Sequence, residues 1–97
     1  MRFTQHVVVD VSDEAGFTSL IGEWQSERAA DSPGLLGGRV LRFRDKPGRY
    51  VIQADFDSWD DAEANNDREE TRRWAARLAE VIDGDPKYEN LDVVAEF

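Results

Sequence analysis

The chain opens with Phe3-Thr4-Gln5-His6 followed by three consecutive valines, Val7 to Val9. A run that is apolar on both alternating sides predicts a strand over Phe3 to Asp10. Ser12 or Asp13 can cap a following helix, and Asp13 and Glu14 put negative charge where the helix dipole favours it. Phe17, Leu20, Ile21, Trp24 and Arg28 then recur at helical spacing and form one stripe, with Pro33-Gly34 as its stop. Leu35 to Arg44 reads as a second strand, loosened by Gly37-Gly38. Arg49 to Phe56 reads as a third, and Asp45-Lys46-Pro47-Gly48 between them predicts a hairpin turn. Pro47 fixes φ there and Gly48 supplies a positive φ.

Ser58 with Asp61 resembles a capping box opening a short helix through Ala62 and Ala64. Asn65-Asn66 interrupts it, and Asp67-Arg68-Glu69-Glu70 repeats the capping pattern. Thr71, Trp74, Ala75, Leu78 and Ile82 mark a second amphipathic stripe, which Gly84 and Pro86 should stop. Tyr88 to Phe97 completes the order strand, helix, strand, strand, helix, strand. This predicts a single α+β domain over residues 1–97: a ferredoxin-like four-stranded antiparallel sheet with both helices on one face.

Strand alternation sorts the sheet into two faces. Val7, Val9, Leu41, Phe43, Tyr50, Ile52, Ala54, Phe56, Leu91, Val93 and Ala95 should meet the helices. Thr4, His6, Val8, Val40, Arg42, Val51, Gln53, Asp55, Asp92 and Val94 should form the other face. That second set is too apolar for comfortable exposure and too polar for a dry core. Burial against a copy of itself resolves the conflict, so a homodimer built sheet against sheet is expected. The bland reading is a monomer with an ordinary solvated face.

Composition narrows the chemistry. Twelve basic against 21 acidic side chains give a net charge of -9. Such an acidic protein lacks the basic face that nucleic acid or anionic lipid requires. Cysteine is absent and histidine occurs once, so thiol chemistry and a His-rich metal site within a single protomer are excluded. The acidic run Asp55, Asp57, Asp60, Asp61 and Glu63 lacks the bend glycine and closing glutamate of a calcium loop, so no metal is expected. Gly37-Gly38 sits in a strand with no Lys-Ser/Thr after it, so it is no phosphate loop. The sequence shows neither a leader nor an apolar run of about 20 residues, which makes the cytoplasm the default compartment.

Four side chains stand out as candidates. Trp24 and Trp74 lie on the inward stripes of different helices and can wall a pocket for a flat aromatic ligand, or simply fill core. Histidine is the residue type whose unperturbed pKa lies near neutrality, which makes His6 the candidate catalytic base. Its strand parity places it on the second face, where a structural role is the simpler account. Asn65 and its neighbour Asn66 offer amides to a substrate oxygen, or merely break the helix.

Together the segments HVVVDV (6–11), FTSLIGEW (17–24) and PGLLGGRVLRFRDKPGRYVIQADFDSWDDA (33–62) resemble the antibiotic biosynthesis monooxygenase-like domains of the dimeric α+β-barrel superfamily. The PG turn, the hairpin and the step Phe56-x-Ser58-x-x-x-Ala62 carry most of the likeness, which spans Phe3 to Phe97. The resemblance implies a dimer whose two sheets form a barrel, with a pocket between helices and sheet in each protomer. It also implies an oxygenase that works on a phenolic or polyketide-like aromatic without any cofactor. In that setting Trp24, Asn65 and Trp74 would bind the substrate. The haem-degrading branch uses an Asn on the first strand and a Trp and an iron-binding His on the later helix. Here those places read Gln5-His6-Val7, Asn65 and Trp74, so haem is not expected. The competing expectation is a non-catalytic homodimeric module that binds a small ligand or supports a pathway partner.

Overall fold

A computed structural model of the protein describes residues 2–28 and 34–97. The elements are β1 (Phe3–Val11), α1 (Glu14–Arg28), β2 (Leu35–Arg42), β3 (Arg49–Phe56), α2 (Trp59–Asn66), α3 (Glu69–Ala79) and β4 (Ile82–Asp92). The four strands pair in the order β2-β3-β1-β4, antiparallel throughout. The fold is ferredoxin-like α+β, with the βαββαβ order the sequence predicts and the second helical segment split in two. The split falls at Asp67-Arg68 and not at the expected Asn65-Asn66, which form the last two positions of α2. The side chain of Arg28 and the Pro33 stop lie outside the described residues.

Local chemistry explains the element ends. The Asp13 carboxylate accepts the Gly16 N–H at 3.0 Å and so caps α1. Ser58, in extended conformation, accepts the Asp61 N–H at 3.2 Å, while its hydroxyl donates to the Asp61 carboxylate at 3.1 Å. At the hairpin the Arg49 N–H donates to the Lys46 carbonyl at 3.1 Å, and Gly48 takes φ of +84°. This is the turn that Pro47-Gly48 was placed to make. α3 begins differently from expectation: Arg68 stands at its N-terminal cap position but its side chain does not cap the helix, and Asp67 instead ends α2.

Helices lie on one face only. Val7, Val9, Phe17, Leu20, Ile52, Leu78 and Ile82 form the main buried cluster. Phe3, Phe56 and Ala62 form a second cluster beneath α2. Phe56 and Leu78 are each 1% exposed.

Three sequence expectations need correction. First, β2 presents the opposite parity. A register shift at Leu36 leaves Leu35 opposite Phe56 but Gly37 opposite Asp55. Val40 therefore meets Ile52 on the helix side, and Arg42 meets Tyr50. Leu41, opposite Val51, and Phe43, beneath the Arg49 guanidinium, turn to the uncovered face. One extra residue moves every following side chain to the other side of the pleat.

Second, β4 begins at Ile82, before Gly84 and Pro86, and ends at Asp92. Residues 84–86 form an irregularity opposite Val9, between the pairs Val8–Lys87 and Asp10–Asp83. Pro86 fits there because β4 is an edge strand. Third, Leu91 pairs with Thr4 and faces away from the helices, whereas Asp92 pairs with Phe3 on the helix side. Val93, Val94 and Ala95 fall beyond the strand.

Candidate functional site

The inner face of the sheet is densely packed at one end and opens into a small cavity at the other. Trp24 from α1, Asn65 and Asn66 from the end of α2, and Thr71, Trp74 and Ala75 from α3 form its upper wall. Gln5, Val7, Leu35, Ile52, Ala54, Phe56 and Tyr88 from the strands and their margins form its floor and side. The cavity measures about 70 Å³. Exposed Asn66 and Tyr88 stand where it meets solvent.

The sequence explains this placement. Trp24 stands four residues beyond Leu20 on the stripe that buries Phe17 and Leu20, so the stripe carries it over the sheet. Trp74 stands four residues before buried Leu78 and comes over the sheet by the same logic. Their ring centroids lie 6.2 Å apart with planes inclined at 40°. Gly38 lies below: a Cβ there would clash with the Gln53 carbonyl oxygen and also come within 3.2 Å of the Trp24 ring, so the strand accepts only glycine beneath that ring without shifting.

The polar chemistry is sparse. Gln5 is buried, and its Nε2 donates to Asn90 Oδ1 at 3.2 Å across the β1–β4 pair. The Trp74 Nε1 is buried and donates to no acceptor among the described residues. Of the lining residues none is Asp, Glu, Lys, Arg or His. The walls can therefore orient an uncharged aromatic by contact and by amide or indole hydrogen bonds, but they hold no strongly basic side chain.

Three of the four candidates thus share one cavity: Trp24, Asn65 and Trp74. His6 does not join them. It pairs with Gln53 and Glu89 on the uncovered face, where its Nδ1 lies 3.6 Å from a Glu89 carboxylate oxygen. Sequence reasoning missed Gln5 as a lining residue although the signal was present. Gln5 shares the parity of Phe3, Val7 and Val9, so alternation alone turns it inward.

Ionisation is perturbed elsewhere, outside the cavity. The Tyr50 phenol donates to Glu14 at 2.8 Å, which with partial desolvation holds its pKa above the usual tyrosine value. Arg49 donates to both oxygens of Asp10, at 2.9 and 3.3 Å, and that bond chiefly holds the Asp10 carboxyl below its usual value.

The uncovered face carries Thr4, His6, Val8, Leu41, Val51, Gln53, Asp55, Lys87, Glu89 and Leu91. Leu41 and Leu91 are 41% and 42% exposed. No helix among the described residues is long and apolar enough to cross a membrane.

No family model and no curated protein sequence matches the chain. Solved structures do. A Caulobacter crescentus protein provisionally named an antibiotic biosynthesis monooxygenase superposes with a TM-score of 0.86 at 20% identity, over 97% of this chain and 91% of that one. SnoaB, a cofactor-independent oxygenase from Streptomyces nogalater, gives 0.83 at 20% identity, over 98% and 95%. A Nitrosomonas europaea protein of unknown function gives 0.81 at 15% identity, over 99% and 92%. The chain therefore has the fold of the antibiotic biosynthesis monooxygenase-like proteins along essentially its whole length.

Proposed function

We propose that this chain is a monooxygenase of the antibiotic biosynthesis type, acting without cofactor on an aromatic phenolic or polyketide-like small molecule. The observation that carries the reading is the cavity walled by Trp24 and Trp74, with Asn65 also on its wall, set in a fold shared with a cofactor-independent oxygenase. Two indoles offer flat apolar walls, and the amides of Asn65 and Gln5 offer hydrogen bonds to substrate oxygens.

An electron-rich phenol needs little from such a protein. Once its proton has left, the phenolate can itself reduce dioxygen. One oxygen atom enters the ring carbon as a carbonyl, and the other leaves as water with the two hydrogens displaced. The residues of this chain contribute orientation, exclusion of bulk water and hydrogen bonds to the developing oxyanion. With no basic side chain in the lining, the phenolic proton passes to solvent at the mouth between Asn66 and Tyr88. His6, on the far side of the sheet, does not act on the substrate.

Entry requires movement. A cavity of about 150 Å³ is what a benzene-sized ligand occupies, and the space here is about 70 Å³. A polycyclic substrate therefore enters only as Trp24 or Trp74 swings aside, and its binding should change tryptophan fluorescence. The deciding experiment offers an anthrone-type phenol and follows dioxygen without added metal. We expect consumption well above the spontaneous rate, and a loss of at least tenfold in Asn65→Ala. A panel of such phenols that perturbs fluorescence without accelerated oxygen uptake would overturn the oxygenase reading. The alternative would then stand: a non-catalytic small-ligand-binding or pathway-accessory module, which the uncharged lining itself favours.

We also propose a homodimer joined through the uncovered sheet faces. Leu41, Val51, Val8 and Leu91 supply apolar area there, and His6, Glu89, Lys87 and Gln53 supply groups of complementary sign and polarity. Light scattering at micromolar concentration should return about 22 kDa, twice the 11.0 kDa chain. A value near 11 kDa would overturn it.

A further inference from the structure

The Trp74 Nε1 is the one buried side-chain nitrogen or oxygen among the described residues that lacks a hydrogen-bond partner. A buried donor without an acceptor is destabilising, because it loses its water without compensation. A side chain such as phenylalanine would fill an apolar wall without that penalty. The unpaired donor belongs to a residue that lines the cavity, and the lining carries no cation to bind an anion and no carboxylate to bind a cation. The other deeply placed amide, Gln5, already spends one N–H on Asn90.

We infer that the Trp74 indole N–H selects the ligand, by donating to the carbonyl oxygen of an uncharged planar molecule held in the cavity that the two tryptophans wall. Trp74 is thus a specificity-determining residue and not only a wall. The cavity should discriminate ketones from hydrocarbons of the same shape, and should reject carboxylates, whose desolvation nothing in the lining offsets. The location of the site is taken from the functional reading above, but the inference concerns binding and stands whether or not dioxygen is consumed.

Three tryptophans in 97 residues make the test direct. Their indole N–H groups give three side-chain signals in a proton–nitrogen correlation spectrum, assigned by Trp24→Phe, Trp59→Phe and Trp74→Phe. The probes are 1-indanone, indane and indane-1-carboxylate. Titration with 1-indanone should move the Trp74 indole proton downfield, and indane should not. The ketone should bind about five- to tenfold more tightly than indane, and the carboxylate should not bind detectably. In Trp74→Phe the preference for the ketone should collapse to within twofold, through weaker ketone binding.

Phenylalanine also shortens the ring system, so benzothienylalanine at position 74 provides the isosteric control, with sulfur in place of N–H. It should lose the same preference while melting no lower than the wild type, since it removes an unpaired donor. A ketone preference that survives both replacements would overturn the inference, as would a Trp74 signal that responds equally to indane, or no binding of either neutral probe. An oxygenase assay that fails while the ketone preference depends on Trp74 would sink the catalytic proposal alone.

Discussion

The two faces of this sheet are built from the same four strands of alternating residues, yet they have different fates. On the covered face Ile52 and Phe56 are nearly inaccessible. One residue along, Val51 and Asp55 are half-buried although no helix covers them. The covered face is closed by α1, α2 and α3 but left incomplete at the cavity, whose wall carries the one unpaired buried donor among the described residues. The uncovered face spreads its defects widely, as exposed leucines among ion pairs. Concentrated imperfection in an otherwise dry layer suits recognition of a small molecule. Dispersed apolar and charged groups over a flat area suit contact with another protein surface.

Truncation should expose the difference most sharply. Phe56→Ala removes a ring that is 1% exposed and should lower stability by about 3–5 kcal/mol. Leu41→Ala, on the other face, should cost less than about 1 kcal/mol in an isolated chain, because much of that side chain already meets water. Urea melts of both variants at low and high protein concentration check the comparison. A Leu41→Ala cost that grows towards about 2–3 kcal/mol at high concentration would show the second face to be buried in an assembly.

The next largest effect belongs to charge. Leu41→Glu places a carboxylate where a second copy should press, near Val51. It should convert a species of about 22 kDa to one of about 11 kDa with little change in circular dichroism. Unchanged mass would mean that the uncovered face is not the interface.

Much of the covered face was legible in the sequence, and the reasons are local. The Pro47-Gly48 turn, the Ser58–Asp61 box and the stripe from Thr71 to Leu78 each involve residues within a few positions of one another. The parity of β2 was not legible. In Leu-Leu-Gly-Gly-Arg-Val-Leu-Arg-Phe-Arg, either alternate set contains apolar residues, and the shift at Leu36 arises only from pairing with β3. The same holds for β4, whose start was hidden because Ile82 continues the helical spacing of Leu78. Gly84 and Pro86 read as a stop, although an edge strand opposite Val9 accommodates both. At the site, Trp24, Asn65 and Trp74 were readable as inward or pocket-facing positions. The unpaired state of the Trp74 N–H was not, since it depends on what three separate elements place around it.

A smaller effect tests how α2 is held over the covered face. Ser58→Ala removes the acceptor of the Asp61 N–H and should cost about 1 kcal/mol. Ser58→Asp should restore most of it. Because α2 covers the cluster of Phe3, Phe56 and Ala62, hydrogen exchange should quicken there first and leave Val7 and Ile52 protected.

The smallest effect returns to the uncovered face, where Arg49 holds Asp10. That hydrogen bond, the largest influence on the carboxyl, keeps its pKa below the unfolded value. A depressed carboxyl stabilises the fold above its ordinary pKa near 4, and the contribution fades as pH falls through the lower folded value. Asp10→Asn should therefore be slightly less stable than the wild type at pH 7 and equal to it near pH 2. Both side chains reach solvent, so salt should shrink the gap at pH 7. Their position beside Val8 and Val51 gives the measurement a second use. If two sheets meet here, the pair is desolvated in the assembly, and the pH-dependent gap should widen with protein concentration and resist salt. A gap that stays salt-sensitive at every concentration would mean that this end of the face remains in water, and that any contact between copies lies nearer Leu41 and Leu91.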